Sequence, residues 1–133
     1  MIVVDSSVVV AALIDRGSVG KWAEGVLKSG PLSAPHLMPV EAANILRRSA
    51  SAGAISADVA SLAHQDLLSL PVELFPYGLC ASRVWELRST TTTAFDAWYV
   101  ALAEVIGARL ATLDLRLSRA AGPRCEFALP PNE

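Results

Sequence analysis

Five short apolar runs, "MIVV", "PLSAP", "PVELFP", "RLATLD" and "CEFALP", recur along the chain with helix-like segments between them. Strands that alternate with helices build βαβ units, and these give a parallel sheet with helices on both faces. "MIVV" is apolar throughout, as a central parallel strand covered on both sides must be. The pattern predicts a three-layer α/β/α fold around a central, mostly parallel sheet of four to five strands. At 133 residues the chain is expected to form one domain, residues 1–133.

The connecting segments read as helices. Ser6 or Ser7 is placed to cap "SVVVAALID". "SVGKWAEGVLKSG" should end at Gly30. "LMPVEAANILRRSASAG" carries Pro39 in its first turn and Gly53 at its end. "SADVASLAHQDLLSL", "GLCASRVWELRST" and "LRLSRAAG" are further helices, and "AFDAWYVALAEVIGA" is the strongest helical pattern in the chain.

One residue interrupts the first apolar run. Asp5 follows "MIVV" directly, and a buried carboxylate costs several kcal/mol, in order of magnitude, unless its charge is compensated. In parallel α/β sheets, ligands bind outside the carboxyl ends of the strands, near the switch point of strand order. Asp5 and Asp114 each close a strand. Glu41 lies in the first turns of the helix after "LSAP", and Asp96 in the first turn of "AFDAWYVALAEVIGA". All four acids therefore fall on one edge of the expected sheet. Two carboxylates about 4 Å apart repel by roughly 4 kcal/mol at an effective dielectric of 20, so four together call for a cation or raised pKa values. Hard oxygen donors suit Mg²⁺ or Mn²⁺. Each acid also has a plainer reading. Asp5 and Asp114 fit N-caps, "TAFD" fits a capping box around Thr93 and Asp96, and Glu41 fits a solvated helix face. Capping accounts for each singly but not for four acids on one edge.

Hydrophobic residues make up 53 % of the chain and the mean hydropathy is +0.42, which predicts apolar surface left over for a partner or a second copy. The N-terminal apolar run is too short for a bilayer, which needs about 20 residues. It also lacks the basic flank and cleavage site of a signal peptide, so the expectation is a cytoplasmic protein with no membrane partner. Cys80 and Cys125 fit reduced, buried thiols. The net charge of −2 hides nine Arg against two Lys, and arginine is the better bidentate phosphate ligand. With four acids set apart in a metal site, the bases outnumber the remaining acids, so polyanion binding is permitted. Arg47 and Arg48 on the Glu41 helix, and Arg116 and Arg119 after Asp114, are the candidate contacts to a phosphate backbone, although a charged pair on a helix is usually its solvated face. Trp98 and Tyr99 read as core or dimer interface rather than stacking platforms. His36 and His64 stand in no motif and read as surface or capping residues.

The stretches "VDSSVVVAAL", "LMPVEAANILRR" and "TTAFDAWYVALAEVIGARLATLDLRL" resemble the PIN-domain ribonucleases, and within them the VapC toxins of toxin–antitoxin pairs. The resemblance covers nearly the whole chain, in order and spacing. It implies a Mg²⁺- or Mn²⁺-dependent endoribonuclease in which Asp5, Glu41, Asp96 and Asp114 form the metal-binding and catalytic set. A metal-activated water would attack phosphorus in line, leaving 5′-phosphate and 3′-hydroxyl ends. Ser6 and Thr112 fall where such proteins place hydroxyls beside the acids, and Asn44, one turn after Glu41, is placed to support it. A homodimer and a small VapB-type antitoxin are the implied protein partners. Because "LRL" follows Asp114 with no further acid, one ion is expected rather than two. The alternatives are a Mg²⁺-dependent phosphoryl-transfer domain or a non-catalytic binding domain on a similar sheet. The first resembles families with a late lysine, whereas Lys21 and Lys28 lie in the first quarter of this chain. The second would be expected to have lost acids, and all four are present.

Overall fold

A computed structural model describes residues 1–91 and 93–132. Five strands, β1 (Ile2–Val4), β2 (Leu32–Pro35), β3 (Val72–Phe75), β4 (Arg109–Ala111) and β5 (Phe127–Ala128), form one sheet in the order β3-β2-β1-β4-β5. Every pairing is parallel. The helices are α1 (Ser6–Ile14), α2 (Ser18–Leu27), α3 (Met38–Ser51), α4 (Ala57–Ser69), α5 (Ala81–Glu86), α6 (Ala94–Ile106) and α7 (Leu115–Arg119). The architecture is the expected three-layer α/β/α arrangement, with all five runs serving as strands. Strand order reverses between β1 and β4, where Val4 pairs with Ala111. Among the described residues no helix is long and apolar enough to cross a membrane.

The centre is dry. Val3, Val4 and Leu110 are fully buried in the sheet. α6 packs against β1, β2 and β4 and buries seven consecutive residues, from Ala97 to Ala103. Such a helix has no solvated stripe through its middle, which is why the densest apolar pattern in the sequence becomes the innermost helix. α1 carries the β-branched run Val8, Val9, Val10, which is modest in helix propensity. Burial of all three and a side-chain cap from Asp5 hold it helical. α3 buries Met38, Ala42 and Leu46, an i, i+4, i+8 stripe that leaves Glu41 at the edge of the buried face.

Several local expectations shift. The cap of α1 is Asp5, while Ser6 and Ser7 are already helical. α2 stops at Leu27 rather than at Gly30, after the Ser29 hydroxyl bonds back to the Val26 carbonyl. The segment "GLCASRVWELRST" divides into a 3₁₀ turn, Tyr77–Leu79, and the short α5. Its end dissolves because the Thr90 and Thr91 hydroxyls both bond to the Leu87 carbonyl, the local competition through which threonine ends helices. Cys80 is buried as expected, but Cys125 is only half-buried. Lys21, Lys28, His36 and His64 are exposed.

The corner between α1 and α2 depends on a missing side chain. A Cβ on Gly20 would lie 1.9 Å from the Asp15 carbonyl oxygen, so any larger residue must push the two helices apart. Gly20→Ala is expected to lower the unfolding free energy by about 1–3 kcal/mol, read as a lower urea midpoint at unchanged slope.

Candidate active site

The switch point brings two acid-bearing strand ends side by side. β1 ends at Val4, and the Asp5 N–H donates to the Ala111 carbonyl at 3.2 Å, locking Asp5 beside the end of β4. Its carboxylate turns back over α1 and accepts from the Val8 N–H at 3.1 Å and from the Ser7 hydroxyl. The buried Thr112 hydroxyl also supports it. Two residues on, Asp114 caps α7, accepting from the Arg116 N–H at 3.0 Å and the Leu117 N–H at 3.2 Å. The Asp114 N–H in turn donates to Thr112 Oγ at 3.0 Å, so Thr112 touches both acids of the switch point.

The other two acids come from helix starts. Glu41, in the first turn of α3, accepts at Oε1 from the Tyr99 hydroxyl at 2.7 Å. Asp96 lies in the first turn of α6, where its N–H donates to Thr93 Oγ at 3.1 Å. Asp5 and Asp114 thus cap their helices with their own carboxylates, and Thr93 caps the helix whose first turn carries Asp96.

Electrostatics ties the four together. Asp5 is 9 % exposed, and burial raises its pKa against the lowering effect of Ser7, Thr112 and two backbone N–H groups. Burial also raises Glu41, against the bond from Tyr99, and the charges of Asp5 and Asp96 push it further. Asp96 rises by burial, against Thr93; Asp114 adds to the rise and Arg116 opposes it. Repulsion therefore runs Asp5–Glu41–Asp96–Asp114 without a break. The ion pairs found among the described residues join Arg83 to Glu86 and Glu104, far from these acids in the fold.

As the side chains stand, no three His, Cys, Asp or Glu among the described residues converge closely enough to ligate one ion. Asp5 Oδ1, Asp114 Oδ1 and Glu41 Oε1 are each drawn to a neighbouring donor. The donor set nevertheless fits a hard divalent cation. It offers four carboxylates on one edge, one of them nearly sealed from water, with mutual repulsion that no salt bridge among the described residues relieves.

Other candidates fall differently. The Ser6 hydroxyl lies by the Tyr99 phenol. Asn44 is exposed, and its amide oxygen accepts from Arg47 Nε at 3.0 Å instead of supporting Glu41. Arg47, Arg48, Arg116 and Arg119 are all exposed, and Arg116 is near enough to Asp96 to favour its charged form. Trp98 is buried, with Tyr77 edge-on at 5.3 Å. Tyr99 is buried as well, yet its hydroxyl reaches Glu41. The sequence reading missed that role, because an aromatic inside an apolar helical run looks like plain core.

The chain belongs to the PIN-domain family, whose profile matches residues 2–123. Ribonuclease VapC9 of Mycobacterium tuberculosis is 37 % identical over 131 residues, covering 98 % of this chain and 99 % of that relative. Among solved structures, PAE2754 from Pyrobaculum aerophilum superposes with a TM-score of 0.71 at 23 % identity, covering 95 % of this chain and 81 % of its own. VapBC2 from Rickettsia felis, solved bound to a DNA fragment from its promoter, gives 0.68 at 15 % identity, covering 97 % and 98 %. At these identities the structural matches speak to the fold.

Proposed function

We propose that this protein is a Mg²⁺- or Mn²⁺-dependent endoribonuclease acting as the toxin of a type II toxin–antitoxin pair. The observation that carries this reading is the unbroken run of four carboxylates at the switch point, with buried Asp5 in no ion pair among the described residues. The 37 % identity to a protein named Ribonuclease VapC9 supports the choice of RNA.

Asp5, Glu41, Asp96 and Asp114 would hold the cation. When bound, it supplies charge neutralisation at the scissile phosphate and lowers the pKa of water. Thr112 keeps Asp5 and Asp114 in register. A carboxylate that burial and neighbours have made more basic accepts a proton from the attacking water more readily than an ordinary one. Arg116, beside Asp96, is placed to meet a phosphate oxygen, and Arg47, Arg48 and Arg119 extend positive charge along the flanking helices.

The protein partners proposed are a VapB-type antitoxin and a second copy of the chain, in the cytoplasm. Val40 on α3, Leu62 and Leu68 on α4, and Trp85 on α5 are each more than 60 % exposed, apolar surface of the kind interfaces cover. Purified protein should cleave RNA with Mg²⁺ or Mn²⁺ and fall to background in excess EDTA, with recovery on adding the metal back. Undiminished cleavage in EDTA would reject the reading.

A further inference from the structure

The geometry points to Tyr99 as the positioning residue of this site, acting through Glu41 to set how tightly the divalent cation is held. The inference rests on the metal-dependent reading above and adds to it a residue that carries no metal-binding group of its own.

Glu41 and Tyr99 are 58 residues apart, yet the phenol donates to Glu41 Oε1 at 2.7 Å. This bond joins α3 to α6, the two helices that deliver Glu41 and Asp96. The ring is 4 % exposed and sits within the fully packed middle of α6, so it has little freedom to turn. The Ser6 hydroxyl lies on the phenol as well, and Ser6 follows Asp5 directly. The Tyr99–Glu41 bond is thus a relay between α6 and α3, two of the helices that start at the acids.

The relay matters because Glu41 is otherwise pushed outward. Asp5 and Asp96 both repel it, and it is a longer, freer side chain than the three aspartates. Without a donor on Oε1 its lowest-energy course is to rotate toward solvent. The phenol holds it among the other acids, and Oε2 remains available to a ligand. A phenol is protonated at neutral pH and Glu41 Oε1 can only accept, so Tyr99 is the donor in this bond. Orienting partners behind metal ligands typically change metal affinity by about 10–100-fold when removed.

Tyr99→Phe keeps the ring and removes the donor. In Mn²⁺ titrations followed by calorimetry, Kd should rise about tenfold or more, while RNA cleavage at saturating Mn²⁺ returns to within about threefold of wild type. Ser6→Ala should shift Kd in the same direction by less. In a Glu41→Ala background, adding Tyr99→Phe should weaken Mn²⁺ binding no further, because the phenol acts only through that side chain. Wild-type Mn²⁺ affinity in Tyr99→Phe, or an equal loss in both backgrounds, would overturn the assignment to Tyr99 and leave the nuclease reading standing. Wild-type protein that neither takes up Mn²⁺ nor needs metal to cleave RNA would overturn both.

Discussion

Asp5→Asn is expected to reduce RNA cleavage by about 10³-fold or more while leaving the metal-free protein at least as stable as wild type. Asparagine caps a helix as well as aspartate does. Its amide oxygen can take the bonds from the Val8 N–H and the Ser7 hydroxyl, and its amide nitrogen can donate to Thr112. What disappears is the buried charge. The sign of the pH dependence follows from the same burial. Asp5, Glu41 and Asp96 all have pKa values raised in the folded state, so between their unfolded and folded values the native state binds more protons than the unfolded one. Stability of the metal-free protein therefore falls as pH rises through that window, and the deficit persists above it. Wild type in EDTA should melt lower at pH 7 than at pH 5, and Mg²⁺ or Mn²⁺ should raise Tm more at pH 7. In Asp5→Asn both differences should shrink. A large drop in Tm at pH 7 for Asp5→Asn would mean that the charge stabilises the fold, contrary to this account.

A comparable loss of cleavage, about 10²–10³-fold, is expected for Asp96→Asn, and its contrast with Thr93→Ala separates chemistry from capping. The α6 cap runs from the Asp96 backbone N–H to Thr93 Oγ, so replacing the Asp96 carboxylate leaves that bond intact and Tm should change little. Thr93→Ala removes the acceptor and should cost about 0.5–2 kcal/mol of stability, with Asp96 still present to support cleavage. If Asp96→Asn melted many degrees lower while its activity survived, the acid would be a cap and nothing more.

Much of this molecule could be read from its residues, and what could not has a common cause. Strand and helix identity follow from apolar period and length, which are local, and all five strand runs stand in the sheet. That Asp5 and Asp114 share a crevice follows from a rule of parallel sheets applied to two strand ends. Helix ends were less legible. The competition of Thr90 and Thr91 hydroxyls for one carbonyl is invisible in a pattern of hydrophobicity. Long-range side-chain partners were the least legible. Tyr99 looked like core and is core, but its one polar atom reaches an acid 58 residues away. Asn44 stood a helical turn from Glu41, and its neighbour three residues on, Arg47, took its amide instead. Spacing alone does not rank competing partners.

The adjacency of β1 and β4 bears on how the molecule is made. These strands lie at opposite ends of the polypeptide, and closing the loop between them is entropically expensive. Until that closure occurs, Asp5 and Asp114 remain separated by most of the chain. A partly folded molecule, or one still being synthesised, therefore holds an incomplete set of acids. On the proposed reading, cleavage competence therefore tracks the pairing of β1 with β4 rather than the formation of any local element.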